Sequence, residues 1–291
     1  MRAFAGVGLL AVSVLGLAQP LSSAIPVDAV LVGAGDIASC ESGGDEMTAK
    51  LLDNIAGTVF TAGDNVYERG WLQEFIRCFA PSWGRHKARM RPAAGNHDYL
   101  TQDAQGYFGY FGAAAGQPSK GYYSYNLGAW RVIVLNSNCA HVGGCHKGSP
   151  QERWLRAELQ SSRAFCTIAY WHHPRFSSGP HGNAPSVSAF WDALYEADAE
   201  LVVNGHDHLY ERFAPQAPNG SLDSDRGIRQ ITVGTGGRSL YSVKRLKRHS
   251  VFRQTRNFGV LKLTLSPTRY VWQFVAAPSG RVLDRGDASC H

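Results

Sequence analysis

Five apolar segments of this 291-residue chain end in residues that could hold a metal ion. Asp36 follows "DAVLVGAG" and Asp64 follows "TVFTAG". Asn96, His97 and Asp98 follow "MRPAAG". His172 and His173 follow "FCTIAYW", and His206 and His208 follow "LVVNG". Each alone has an ordinary explanation: Gly-Asp closes a turn, "GNHD" is an Asn-containing turn, and His-x-His is a solvated surface pair. Together they repeat one chemistry, with carboxylate, imidazole and amide donors at successive strand ends. Open α/β sheets place their ligand sites at the carboxyl ends of strands. That donor set suits a first-row transition metal better than calcium. Two such ions need a shared anion, because cations about 3.5–4 Å apart repel, and Asp64 is the candidate bridge. Tyr67, three residues beyond Asp64 in "GDNVY", is either a packing aromatic or a phenolate ligand.

The elements that must position these residues are legible as an alternation of strand and helix. Strands are predicted over 28–35, 58–63, "YYSYNLG", "WRVIVLN", 165–171 and 201–205. Helices are predicted over 46–55, 71–79, "SPQERWLRAELQ" and 187–198. In the third of these helices Ser149, Pro150 and Glu152 fit an N-cap, a first-turn proline and a capping-box acid. The last third, "IRQITVG", "FGVLKLTL" and "RYVWQFVA", reads as strand. With no repeat or long linker, the expectation is one α/β domain: a four-layer αββα sandwich of two mixed sheets flanked by helices, with the metal site at the strand carboxyl ends.

The composition is globular, at 44% hydrophobic and 18% charged residues, with a formal charge of +6. That charge permits acidic substrates without arguing for nucleic acid. Residues 1–24 have one early arginine, an apolar stretch and a small-residue end. They read as a secretory signal peptide cleaved after Ala24, with an uncleaved anchor as the alternative. No later apolar run is long enough to span a bilayer, so residues 25–291 are expected to form the exported catalytic domain. The six cysteines of that part form an even set, as disulfides in an exported chain would. Cys139–Cys145 is the local pair, since "NCAHVGGC" has two glycines to turn on. Cys40–Cys78 and Cys166–Cys290 are expected for the rest. A zinc site is the weaker reading, because there is no C-x-x-C.

Taken in order, "GD", "GDNVY" (63–67), "GNHD" (95–98), "YWHHP" (170–174) and "GHDHLYER" (205–212) resemble the motifs of the calcineurin-like metallophosphoesterases. More narrowly, they resemble those of the purple acid phosphatases. Most of the superfamily has Asp-x-His in the first motif, where this chain has Asp36-Ile37-Ala38. Purple acid phosphatases also lack that histidine and use a tyrosine of the second motif, which Tyr67 matches. A phenolate is anionic and hard, and so favours Fe(III). The resemblance implies that Asp36, Tyr67 and His208 hold the first ion, Fe(III), and that Asp64 bridges. It implies that Asn96, His172 and His206 hold a second ion, divalent Fe, Zn or Mn. His97 would contact the phosphate and protonate the leaving group, with Asp98 orienting it. His181, nine residues after His172, would be a second phosphate-facing histidine, and His173 would be structural.

The reaction so implied is hydrolysis of a phosphate monoester of a small phosphorylated substrate by attack of a metal-bound hydroxide, with an acid optimum. The alternatives are a phosphodiesterase of the same superfamily, acting on nucleotides or lipid head groups, and an exported binding protein on a decayed scaffold. The pattern departs from the family at Ala38, where GDxG is usual, and in "HGNAP" after His181. The length suggests the small single-domain form. Three other stretches stand out. "YSVKRLKRH" (241–249), with Arg253 and Arg256, is a solvated loop or an attractor of phosphorylated polyanions. "VGTGGRS" (233–239) lacks a nucleotide-loop lysine and reads as a turn near the site. "GYFGYFG" (106–112) lines a cleft or packs as a loop.

Overall fold

A computed structural model describes residues 1–6 and 28–291. The strands are β1 (Ala29–Ala34), β2 (Ala38–Ser39), β3 (Thr58–Ala62), β4 (Val66–Tyr67), β5 (Met90–Ala93), β6 (Tyr123–Leu127), β7 (Trp130–Val134) and β8 (Cys166–Tyr170). They continue as β9 (Leu201–Asn204), β10 (Tyr210–Phe213), β11 (Arg229–Val233), β12 (Ser250–Gln254), β13 (Gly259–Ser266), β14 (Arg269–Ala276) and β15 (Val282–Ser289). The α-helices are α1 (Gly44–Asp53), α2 (Leu72–Glu74), α3 (Gln105–Phe111), α4 (Pro150–Ser161) and α5 (Ser188–Glu196). Almost all of the predicted leader lies outside the described residues. No described helix is long and apolar enough to cross a membrane.

Two mixed sheets result, in the orders β15-β14-β13-β1-β3-β5 and β12-β10-β11-β9-β8-β7-β6. Strands β1, β3 and β5 run parallel, as do β7, β8, β9 and β11. Each set therefore delivers its carboxyl ends to one edge. The central strands are apolar on both faces (Leu31, Val32, Val59, Phe60, Ile168, Ala169, Val202 and Val203 are buried) because both faces are covered. Between the sheets Phe60 meets Tyr170 at 5.4 Å and Tyr210 stacks on Phe274 at 4.3 Å between ring centroids. A second apolar cluster joins the outer face of the β8–β9 sheet to α4 and α5 through Leu155, Trp171, Phe190 and Leu194.

The three expected disulfides are present: Cys40–Cys78, Cys139–Cys145 and Cys166–Cys290. The last closes a loop of 124 residues, the largest constraint on the unfolded chain, worth about 5 kcal/mol on a chain-entropy estimate. Three local readings change. Segment 71–79 is not one α-helix: three α-helical residues lead into a π-helical turn, Phe75–Phe79, closed by Ala80 N–H donating to Phe75 O at 2.8 Å. The capping box of α4 is half formed. Ser149 Oγ accepts from Glu152 N, but the Glu152 carboxylate takes the N–H of Gly148, because Ser149 N–H is already given to His146 O.

"GYFGYFG" lines no cleft. It lies largely within α3, with Tyr107, Phe108 and Phe111 buried. Gly106 is required there because a Cβ would stand 2.0 Å from the Gly70 carbonyl oxygen. Strand β15 reads as polar in sequence, yet its Asp284 is buried. It accepts from Arg212 at 2.7 and 2.9 Å, Tyr210 at 2.8 Å and Trp272 at 3.2 Å. Arg212 of "GHDHLYER" thus serves the sheet rather than the site.

Candidate metal centre

The carboxyl ends of the two sheets are sewn together where the chemistry-bearing residues lie. Gly35 N–H donates to Val233 O at 2.9 Å and Asp36 N–H to Gly63 O at 3.0 Å. His172 Nδ1 donates to the Ala62 carbonyl at 2.8 Å. Among the described residues seven non-glycines have positive φ, and three of them are candidate ligands: Asp36 (60°), Asp64 (49°) and His206 (72°). Such positions cost about 1–3 kcal/mol each and persist only where the surroundings over-determine them. Here they turn the chain at the end of each strand so that the side chain faces the junction.

Two donor sets share one carboxylate. Tyr67 Oη lies 2.9 Å from Asp36 Oδ1, 2.9 Å from Asp64 Oδ2 and 3.2 Å from His208 Nε2. Asp36 Oδ1 lies 3.3 Å from His208 Nε2. On the other side, His172 Nε2 is 3.3 Å from Asp64 Oδ2, 3.1 Å from Asn96 Oδ1 and 3.2 Å from His206 Nδ1. Asp64 Oδ2 therefore touches both groups. Ligands at about 2.0–2.2 Å from one ion lie roughly 3 Å from each other, the spacing seen in both sets. Asp36, Asp64, Tyr67, His172 and His208 are only 0 to 4% exposed. Neither buried carboxylate has a lysine or arginine partner among the described residues; the side chains that can carry positive charge beside them are histidines. Buried charge needs a partner, and a cation between the sets supplies it. The residues fit a pair of metal ions.

Hydrogen bonds behind the ligands fix which nitrogen is free. A carbonyl only accepts, so His172 Nδ1 carries a proton and Nε2 is the nitrogen that would lose its proton to a metal. His208 Nδ1 pairs with Ser239 Oγ at 2.7 Å, which likewise leaves Nε2 inward. His206 differs and presents Nδ1. The protein's own charges act as follows. Burial alone would raise the Asp64 carboxyl, but the charge of His172 and its hydrogen bond outweigh it and hold Asp64 ionised. Burial opposes charge on His172 too, and Asp64 reverses that, taking it up to about 9. Burial, then the positive His172, depresses His206 and takes His173 to about 3. Burial, then Asp36 and Asp64, pushes the Tyr67 hydroxyl well up. A coordinated cation inverts that last sign, since it favours the phenolate.

The other expected residues lie around this core. His97 Nδ1 donates to the Glu68 carbonyl at 2.6 Å, its backbone N–H donates to Asp64 Oδ1 at 2.8 Å, and its ring lies 4.3 Å from that of Tyr67. His181 is exposed, with its ring 4.2 Å from His206 and its N–H on Asp207 Oδ1 at 3.0 Å. His173, expected to be structural, has Nδ1 2.8 Å from Ser137 Oγ, and one of its ring nitrogens lies within 4.8 Å of those of His172 and His206. The expected bond from Asp98 to His97 is not made. The Asp98 carboxylate is buried and accepts from Gly95 N–H at 2.8 Å and Asn65 Nδ2 at 2.9 Å, pinning the β3 loop to the β5 loop. Burial and then the charge of Asp64 raise it to about 7.

Sequence reasoning missed Ser239, Arg238 and Tyr241. Arg238 sits over the Tyr67 ring at 5.4 Å, and Tyr241 stacks on His208 at 4.0 Å and 6°. The placement of "VGTGGRS" as a turn near the site pointed to Arg238 and Ser239 without a role, and Tyr241 stands out in sequence only as the start of the cationic stretch.

Gly95 offers a test of this geometry. A Cβ there would lie 2.1 Å from Asp64 Oδ1 and 2.2 Å from Asp64 N. Gly95→Ala must displace the shared carboxylate. The expected result is a loss of apparent metal affinity of about 10- to 100-fold, read by metal analysis after dialysis against limiting metal, with far-UV circular dichroism retained.

The calcineurin-like phosphoesterase family model matches residues 29–210. An uncharacterized protein of Mycobacterium tuberculosis is 30% identical over 192 residues, covering 52% of this chain and 36% of that one. Purple acid phosphatase 15 of Arabidopsis thaliana is 29% identical over 174 residues, covering 53% and 32%. This chain thus spans about a third of the length of these curated relatives. The structure of a purple acid phosphatase from yellow lupin (Lupinus luteus) seeds superposes with a TM-score of 0.74 at 18% identity, covering 91% of this chain and 54% of that one. At that identity the likeness shows the shared fold.

Proposed function

Because this chain belongs to the calcineurin-like phosphoesterase family, we propose that it is a secreted phosphatase of the purple acid phosphatase type that hydrolyses phosphate monoesters at a two-metal site. The observation that carries this reading is Asp64 Oδ2, within 2.9 Å of Tyr67 Oη and 3.3 Å of His172 Nε2. Asp36, Tyr67 and His208 would hold Fe(III), and Asn96, His172 and His206 a divalent Fe, Zn or Mn, with Asp64 common to both. Tyr67, from the second motif, would take over as ligand from the first-motif histidine that Ala38 replaces, which favours the harder trivalent ion. Cleavage after Ala24 would release residues 25–291 as the catalytic unit.

When bound, the ions supply Lewis acidity: they draw phosphate oxygens and make a water acidic enough to serve as nucleophile at low pH. The chain's residues do the rest. The strand-end turns hold seven donors in fixed positions, so little reorganisation remains for the transition state. His97, with Nδ1 committed to the Glu68 carbonyl, has Nε2 left to carry a proton to the leaving oxygen. His181, on a loop tied to Asp207, adds a second donor for charge that builds on the phosphoryl oxygens.

The direct test is hydrolysis of p-nitrophenyl phosphate beside bis-p-nitrophenyl phosphate at acid and neutral pH. The expected result is a kcat/KM at least tenfold higher for the monoester, abolished by chelation and restored by iron with zinc or manganese. Preference for the diester would reassign the chain to phosphodiester chemistry, and no hydrolysis of either would make it a binding protein.

A further inference from the structure

No aspartate or glutamate occurs between Asp225 and Asp284. The most cationic part of that stretch, residues 244–248, follows directly on the turn that contacts the candidate metal centre. Tyr241 N–H donates to the His208 carbonyl at 2.7 Å, and its ring covers the His208 ring. From there the chain runs along the loop that carries His181. Lys244 and Arg245 N–H both reach Ser178 O, at 2.9 and 3.1 Å, and Lys247 N–H reaches Ser178 Oγ at 3.0 Å. Backbone bonds thus fix the segment at the mouth of the site and leave its side chains free. Lys244, Arg245 and Arg248 are exposed and Lys247 half-buried. The ion pairs found among the described residues include none of the four, whereas Arg238, nearer the centre, is paired with Glu68.

A cationic row without acidic partners is costly to the folded protein through self-repulsion, and its anchors are Tyr241 on His208 and Ser178 on the loop of His181. Resting on the phosphatase reading above, we propose that residues 241–249 are the specificity element of the site. They select small phosphate monoesters that carry at least one further phosphate group. One phosphate goes to the metal centre while Lys244, Arg245, Lys247 and Arg248 hold the second. The five residues 244–248 span at most about 17 Å even when extended, so the row reaches a second group on the same small molecule. A single-stranded nucleic acid would need a longer groove with stacking platforms.

The test compares fructose 1,6-bisphosphate with fructose 6-phosphate, in the unaltered protein and in one carrying Lys244→Gln, Arg245→Gln, Lys247→Gln and Arg248→Gln. Expected is a kcat/KM ratio of at least tenfold in favour of the bisphosphate at low salt, shrinking as salt screens the row. In the variant it falls to near one, through KM rather than kcat. An equal ratio in both proteins overturns the proposal. Calorimetry with tripolyphosphate and orthophosphate separates it from the phosphatase reading. A protein without hydrolytic activity that still binds tripolyphosphate at least tenfold more tightly, and loses this in the variant, keeps the specificity element and discards the activity. Equal binding of the two anions discards the element. Stronger competition by a single-stranded oligonucleotide than by tripolyphosphate would also overturn it.

Discussion

Asp64→Asn is expected to cost about 10³-fold or more in kcat/KM and to leave the protein with one metal ion or none. The substitution keeps the shape of the side chain and removes one charge. Asp64 Oδ2 is the atom common to Tyr67 and His172, and its other oxygen takes the His97 N–H at 2.8 Å. In two-metal sites the ions stand about 3.5–4 Å apart. At that spacing a trivalent and a divalent ion repel by roughly 25 kcal/mol even at an effective dielectric constant of about 20. An anion between them, at half the distance from each, more than reverses this. A neutral amide cannot, so the second ion is lost before any effect on the fold appears. Metal analysis and steady-state kinetics on the same preparation check the claim. Two ions retained with activity reduced less than about tenfold would show that the carboxylate is not shared.

His97→Gln is expected to lower kcat by about 10²- to 10³-fold on alkyl phosphates such as glycerol 2-phosphate, and by much less on p-nitrophenyl phosphate. The reasoning is the proton. An alkoxide is a poor leaving group and needs a general acid, a contribution of about 10²–10⁴, whereas p-nitrophenolate leaves without one. The backbone N–H of residue 97 still reaches Asp64 in the variant, because that bond does not involve the side chain. Metal content should therefore be retained. An equal loss on both substrates would make His97 a phosphate-binding residue only.

How far the sequence carries these claims differs from residue to residue. Asp36, Asp64, Asn96, His172, His206 and His208 were legible because each ends an apolar run, and parallel strands bring such ends to one edge whatever lies between them. The two-sheet architecture and the three cysteine pairs were legible for similarly simple reasons. Tyr67 needed the resemblance as well, since nothing local distinguishes a ligand tyrosine from a packed one. The contacts of Ser239 and Tyr241 with His208 were not legible, although both lie in stretches that stood out. Both residues come from an irregular stretch some thirty residues after His208, and only the crossing from β11 to the segment before β12 brings them back to it. Asp98 was misread because adjacency to His97 suggested a contact. The turn after β5 instead aims its carboxylate inward, at Gly95 and Asn65. Helix α3 was read as a loop because two glycines mask its periodicity, although its aromatic rings fill the core. Strand β15 was missed because its one buried carboxylate looks like a surface residue until Arg212 is placed beside it.

Metal content and the visible spectrum of the purified protein, beside those of Tyr67→Phe, decide whether the phenol holds iron. The geometry around Tyr67 Oη, with Asp36, Asp64 and His208 at 2.9 to 3.2 Å, predicts iron in the protein. It also predicts a purple phenolate-to-Fe(III) band that disappears in the variant together with most of the activity at acid pH. A colourless protein with two divalent ions, equally active with phenylalanine at position 67, would contradict it.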